Sequence, residues 1–406
     1  MPYTLGIDVG TVSTTVAVSR LRHGTWSDAE LVPVGDKAGP GYVRRIGDDV
    51  PLVLGGEPYR ASELTGELVS HIVGRVDREE GGPPEQIVFA VPGTWGAYRR
   101  GLLHEALWRI GIEDVTVLAQ PIAAAEWYAA GEPVDVGGVL AVYALGATHC
   151  ECAVVRRTSA ATFELLACME TGEPVGGADF DDLLVERVRA ELGPDFDADP
   201  VARRVLAGLR QRCAAAKEEL SRAAEVTIRL PLDGAPEVTV TRDEFEELIH
   251  PLVDSTMRTL QRTVRAAGVE PADLDALVLV GRAVRVPLVR RMADAAAPGR
   301  VAVEPDGVAK GAAHAARTMV AQPGSVAAYR PATVADDHDE DLPRPPRPPV
   351  VITELEAPRR RSARRTAWEM APGARLTALG LAVLVIVVGI WLTLASGFGH
   401  GSWYGM

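Results

Sequence analysis

Leu5-Gly6-Ile7-Asp8-Val9-Gly10-Thr11-Val12-Ser13-Thr14-Thr15-Val16-Ala17-Val18 is the stretch on which the reading of the fold turns. Two apolar, β-branched runs flank a glycine, the pattern of a strand, a tight turn and a second strand. Such a hairpin presents backbone N–H groups that suit a phosphate, and a carboxylate at a strand end suits the water shell of a metal ion. A plain hairpin turn has the same outline, so the stretch needs companions. Outward from it, further strands are expected at Gln86–Val91, Gly138–Tyr143, Cys150–Arg156, Val226–Leu230 and Ala276–Val280. Helical periodicity covers Ala97–Ile110, Ala178–Leu192, Val201–Ala223, Arg242–Ala267 and Val308–Val320. Strands alternating with helices, some of the strands in adjacent hairpins, indicate an α/β fold with mixed sheets.

Several short segments follow in a telling order. They are Ile87-Val88-Phe89-Ala90-Val91-Pro92-Gly93, then Gln120-Pro121-Ile122-Ala123-Ala124-Ala125, then Tyr143-Ala144-Leu145-Gly146-Ala147-Thr148. Next come Gly176-Gly177-Ala178-Asp179-Phe180-Asp181, the helix from Cys213 through Lys217 to Ser221, and Val278-Leu279-Val280-Gly281-Arg282-Ala283-Val284-Arg285-Val286-Pro287. Glu304-Pro305-Asp306 and Gly311-Ala312-Ala313 close the series. With the opening hairpin, this set resembles the nucleotide-binding domain of the DnaK-type heat shock protein 70 family, in the actin and sugar-kinase superfamily. The resemblance implies a two-lobed, actin-like ATPase fold built from ribonuclease H-like repeats. It implies ATP or ADP with Mg2+ as cofactor. The binding set it implies is Asp8, Gly10, Thr11, Gly146, Gly176, Gly177, Lys217, Ser221, Gly281, Arg282 and Arg285, with Asp8 holding the metal through water.

The departures from the family pattern fall on the chemistry. The family orients its attacking water with a lysine from the first lobe, and Gly55 to Gly74 contains no lysine. Gln120 stands for the family's glutamate, Ala144 for its second metal-shell aspartate, His149 for the threonine of the second hairpin, and Val12 for a threonine of the first. Asp8 is then the one metal-shell carboxylate retained, and no catalytic residue is assigned. Phosphoryl transfer rests on positioning and charge stabilisation, and each such group is commonly worth ~10²–10³ in rate. Arg282 replaces a glycine that lies against the base in the family; its long side chain either blocks adenine or stacks on it, and the sequence leaves both open. Cys150 and Cys152 share one face of a strand and read as small core residues rather than zinc ligands. His149 reads as structural, with a catalytic base as the alternative.

Composition sets outer bounds. The chain has 406 residues, is 47% hydrophobic, and carries a formal net charge of −13, which argues against wholesale disorder and against a protein that works by covering nucleic-acid phosphates. Four cysteines make no disulfide framework. Lys37, Lys217 and Lys310 are the only lysines, and the arginine and alanine richness reads as codon bias. The opening residues lack the basic and apolar regions of a signal peptide.

Four regions are expected: a nucleotide-binding domain over 1–320, a disordered linker over 321–374, a transmembrane helix over 375–396 and a short external tail over 397–406. The linker carries an acidic run at 336–341 and prolines at 343, 345, 346, 348 and 349, the composition of an extended tether; docking of a proline-recognising partner is the second reading. Leu376–Ala395 is an uncharged apolar run long enough to span a bilayer, and Arg359, Arg360, Arg361, Arg364, Arg365 and Arg375 before it put the N-terminal lobe on the cytoplasmic side. The family's substrate-binding domain is expected to be replaced by this tether and anchor. The chain is therefore read as a membrane-anchored, chaperone-like scaffold or regulator with an unknown protein partner, its ATP-binding fold kept and its hydrolysis degraded. The alternatives are an active, ATP-dependent, membrane-tethered chaperone and an actin-like element under the membrane.

Overall fold

Strand pairing turns the opening stretch into the first of two matching hairpins. The computed structural model describes residues 1–34, 42–159, 162–192, 208–230 and 237–322. In it Tyr3–Val9 (β1) pairs antiparallel with Thr14–Arg22 (β2), which also carries the short strands Thr25–Trp26 (β3) and Glu30–Leu31 (β4). Leu52–Leu54 (β5) and Glu57–Tyr59 (β6) form a small separate hairpin. On its other edge β1 pairs in parallel with Gln86–Val91 (β7), and β7 with Val115–Ala119 (β8), giving the order β3-β2-β1-β7-β8. The second sheet repeats the plan. Val139–Leu145 (β9), Cys150–Ser159 (β10) and Thr162–Glu170 (β11) meander antiparallel. Glu225–Ile228 (β12) and Val238–Thr241 (β13) pair apart from them, and Ala276–Val280 (β14) and Val301–Val303 (β15) complete the order β11-β10-β9-β14-β15. This duplicated mixed sheet agrees with the actin-like ATPase fold that the resemblance implied.

The helices are Ala61–Glu80 (α1), Ala97–Arg109 (α2), Gln120–Gly131 (α3), Gly177–Leu192 (α4), Leu209–Leu220 (α5), Arg242–Ala266 (α6), Pro287–Ala296 (α7) and Gly307–Ala321 (α8). Of the region 201–223, expected as one helix, 201–207 lies outside the described residues. α3 and α8 follow the last strand of each repeat and pack on one another. Their small residues make this possible: Ala123, Ala124, Ala125, Ala312, Ala315 and Ala316 are all fully buried in one apolar cluster with Val88, Val142 and Val278 of the two sheets. At the crossing a Cβ on Gly311 would sit 1.7 Å from the carbonyl oxygen of Ala123, so only glycine fits. The alanines read above as codon bias therefore set the distance between two helices.

Glu126 on α3 is the polar exception in this layer. It is buried, its Oε1 lacks a hydrogen-bond partner, and burial raises its pKa to about 7 against some relief from Arg157. The folded state thus holds this proton more tightly than the unfolded chain does. Stability from this group is present at low pH, is lost as pH rises from about 4.5 to 7, and is flat above that. Glu126→Gln is expected to stabilise by about 3 kcal/mol at pH 8 and to change little at pH 4.5, read from urea unfolding. An equal gain at both pH values would assign the effect to something other than the carboxyl proton.

One expectation is corrected. Single-pass membrane placement, with the N-terminal lobe cytoplasmic, rested on Leu376–Ala395, which lies outside the described residues. Among the described residues no helix is long and apolar enough to cross a membrane. The length rule asks for about 20 consecutive apolar residues in one helix, and each described helix is either too short or too polar to meet it.

Candidate functional site

The two hairpin turns face each other across a cleft, and they close in the same way. The N–H of Gly10 donates to the Ser13 carbonyl at 2.9 Å, and the N–H of Gly146 donates to the His149 carbonyl at 2.9 Å. Within each turn the amides of Thr11 and Val12, and of Ala147 and Thr148, have no acceptor among the described residues. The turns touch through Thr148 Oγ1, which lies 3.0 Å from Thr11 Oγ1 and 2.7 Å from His149 Nδ1. Free amides converging from two sides form an anion-binding concavity.

The carboxylates beside them are mostly engaged. Asp8 lines the cleft, and burial raises its pKa to about 6, opposed by the side chain of Gln120, whose Nε2 donates to Asp8 Oδ1 at 2.7 Å. Asp306 raises it further and Arg44 lowers it. Ala144 occupies in β9 the place of Asp8 in β1: each is the penultimate residue of its strand, opposite Val280 and Ala90 on the parallel neighbours. Directly across the β9–β10 ladder from Ala144 stands Glu151. Its carboxylate is buried and raised in pKa by that burial, and it accepts the N–H groups of Gly93 at 3.1 Å and Thr94 at 3.4 Å. Among the described residues no cluster of three or more His, Cys, Asp or Glu is suited to a metal.

A cation stands in the cleft from outside the lysine-free stretch 55–74. Arg44, on the single helical turn Val43–Arg45, lines the cleft and pairs with Glu170 at 2.7 Å, while Glu170 also accepts from Thr94 Oγ1 at 3.2 Å. Burial, with Arg44 adding to it, pushes the His149 imidazole below its usual range. Arg44, Glu151 and Glu170 were not identified from sequence. The pairing of β9 with β10 would have found Glu151, because residues opposite in register share a face.

The remaining expected residues divide. Asp8, Gly10, Thr11, Gly146 and Gly281 line the same cleft. Gly281 has φ of 90°, and a Cβ there would meet the Leu145 carbonyl oxygen at 2.3 Å, which fixes glycine at this position. Gly177 lies alongside, its N–H bonded to the Gly146 carbonyl at 3.0 Å, and Gly176 is held by Asp179 at 2.7 Å. Lys217 reaches this edge but is committed: it pairs with Asp181 at 2.7 Å and donates to the Gly177 carbonyl at 2.7 Å. Ser221 bonds back to the Lys217 carbonyl, Arg285 lies 3.5 Å from Asp306, and Arg282 is exposed with no bond or ion pair to any described residue. None of these last three lines the cleft.

Residues 46–326 match the family described as Hsp70 protein, well over half of the chain. The chain belongs to the Hsp70 family. Among curated relatives, the chaperone protein HscA homolog of Azotobacter vinelandii is 33% identical over 238 residues, 58% of this chain and 36% of that protein. The HscA homolog of Pseudomonas fluorescens is 32% identical over 295 residues, covering 68% of this chain and 46% of its own length. HscA of Pectobacterium carotovorum subsp. carotovorum is 32% identical over 230 residues, covering 56% and 35%. The chain thus spans less than half the length of these relatives.

Proposed function

We propose that this Hsp70-family chain binds ATP or ADP in the cleft between its two hairpin turns and hydrolyses it slowly, so that the domain serves as a nucleotide-responsive scaffold or regulator for a protein partner. The amides of Thr11, Val12, Ala147 and Thr148 suit a nucleotide's phosphates. A full magnesium shell fits less well. Gln120 occupies one oxygen of Asp8, Ala144 brings no carboxylate, and both oxygens of Glu151 accept backbone N–H groups. The single observation that carries this reading is the amide of Gln120 on Asp8 at 2.7 Å, a neutral partner where a metal's ligands would gather.

A second reading is favoured by Arg44, whose positive charge stands in the cleft and suits the charge that develops on a transferred phosphoryl group. On that reading the chain is an active ATP-dependent chaperone module; its relatives are named as chaperone proteins. Calorimetric titration of the full chain with ATP and ADP, with and without Mg2+, together with phosphate release, separates the two. Binding with little magnesium dependence and background turnover is the expected result. Sustained turnover abolished by Asp8→Asn favours the second reading, and no nucleotide binding overturns both.

A further inference from the structure

A second cavity, of about 500 Å³, shares no lining residue with the hairpin cleft. α8 contributes Lys310, His314 and Arg317, spaced so that they fall on one face of the helix, and the C-terminal half of α3 contributes Trp127 and Tyr128, both half-buried. The volume lies within the usual range for small-molecule sites, roughly 300–1,000 Å³.

The charges in it are unevenly compensated. Lys310 is paired with Glu304 at 2.6 Å. Arg317 is half-buried and has no ion pair among the described residues. Its Nη1 donates to the Ser27 carbonyl at 3.3 Å and its Nη2 donates to His314 Nδ1 at 2.6 Å. A guanidinium has no acceptor, so His314 Nδ1 must accept and its ring proton resides on Nε2. Burial, with Arg317 and Arg157 adding to it, holds His314 neutral, its pKa near 4. Two further lining carboxylates, Asp28 and Glu132, are exposed, and Asp28 acts on Arg317 through space without an ion pair to it. The cavity therefore carries a half-buried cation whose nearest charge compensation, from Asp28, stays outside ion-pair distance, and an anion that met it directly would offset the cost of its burial.

A guanidinium's planar fork matches a carboxylate, and the neighbouring indole and phenol suit a flat apolar body. We propose that this cavity binds a small aromatic carboxylate, its acid group on Arg317 and its ring against Trp127 and Tyr128. The site is separate from the nucleotide cleft and stands or falls independently of it.

The test is calorimetric titration of the full chain with 1-naphthoate and with its neutral isostere 1-naphthamide. Naphthoate is expected to bind about tenfold more tightly, the usual worth of one charge-assisted contact. Arg317→Gln is expected to erase that preference while leaving naphthamide affinity unchanged, and Trp127→Ala to weaken both. Saturating ATP is expected to displace neither. Arg317→Lys keeps the charge but loses the fork, so its preference should be reduced, and it carries the test if the glutamine variant does not fold. Equal binding of the two probes, an unchanged preference in both arginine variants, or displacement by ATP would overturn the proposal.

Discussion

Gln120→Glu combined with Ala144→Asp is expected to raise magnesium-dependent ATP affinity on the order of 10- to 100-fold, taking one to two charge-assisted contacts at roughly 1.5 kcal/mol each. At present Asp8 sits against an amide at 2.7 Å, which satisfies one of its oxygens without adding charge. The double change puts carboxylates at two positions that line the cleft with Asp8, one at the start of α3 and one at its counterpart in the second repeat. Without a cation those groups repel, and Asp8, already raised to about 6, should hold its proton more firmly still. With Mg2+ present, the same three groups would be able to hold one ion, which is the source of the expected gain. The double variant should therefore be less stable than wild type in chelator and gain in thermal midpoint when Mg2+ and ATP are added together. Turnover should rise as well, because Arg44 already supplies a positive charge in the cleft. An affinity that stays indifferent to Mg2+ in the double variant would mean that this cleft does not gather a metal, and the proposed slow hydrolysis would need another cause.

The expectations that held were those based on local pattern and, for the fold, those implied by the family resemblance. Alternation around Gly10 predicts the β1–β2 hairpin, and β-branched runs over 138–143 and 150–156 predict β9 and β10, because strand period and turn chemistry act over a few residues. The hairpin turn at Gly146 is implied by the resemblance. What escaped was set by contacts between distant segments. Glu151 becomes a cleft residue only through its register opposite Ala144. Arg44 comes into the cleft on a single helical turn, and no periodicity announces it. Lys217 matches the family's position, yet the fold commits it to Asp181 and the Gly177 carbonyl. Composition misled in one instance: alanine richness carried no message by count, and its meaning lies in which alanines meet at the crossing of α3 and α8.

That crossing yields the largest stability effect expected here. Gly311→Ala should destabilise the chain by about 3 kcal/mol or more, at or above the upper end for overpacking a well-packed interior. The added Cβ would lie 1.7 Å from the Ala123 carbonyl oxygen and 2.9 Å from the Trp127 backbone nitrogen. Both are backbone atoms, so no side-chain rotation relieves the clash and the helices must separate. Gly131, the last residue of α3, is the internal control, since a Cβ there meets nothing within 4 Å. Gly131→Ala should stabilise slightly, by up to about 1 kcal/mol, through the lower backbone entropy of alanine in the unfolded chain. Opposite signs for the same chemical change, at two positions in the helix pair, isolate the close approach from helix propensity. The effect should also reach the cleft, because α3 begins at Gln120, and moving α3 displaces the amide that holds Asp8. Urea unfolding of the two variants, followed by nucleotide titration of each, measures both consequences. If Gly311→Ala unfolds at the wild-type midpoint, the two helices do not meet this closely, and the position of Gln120 beside Asp8 loses its mechanical support.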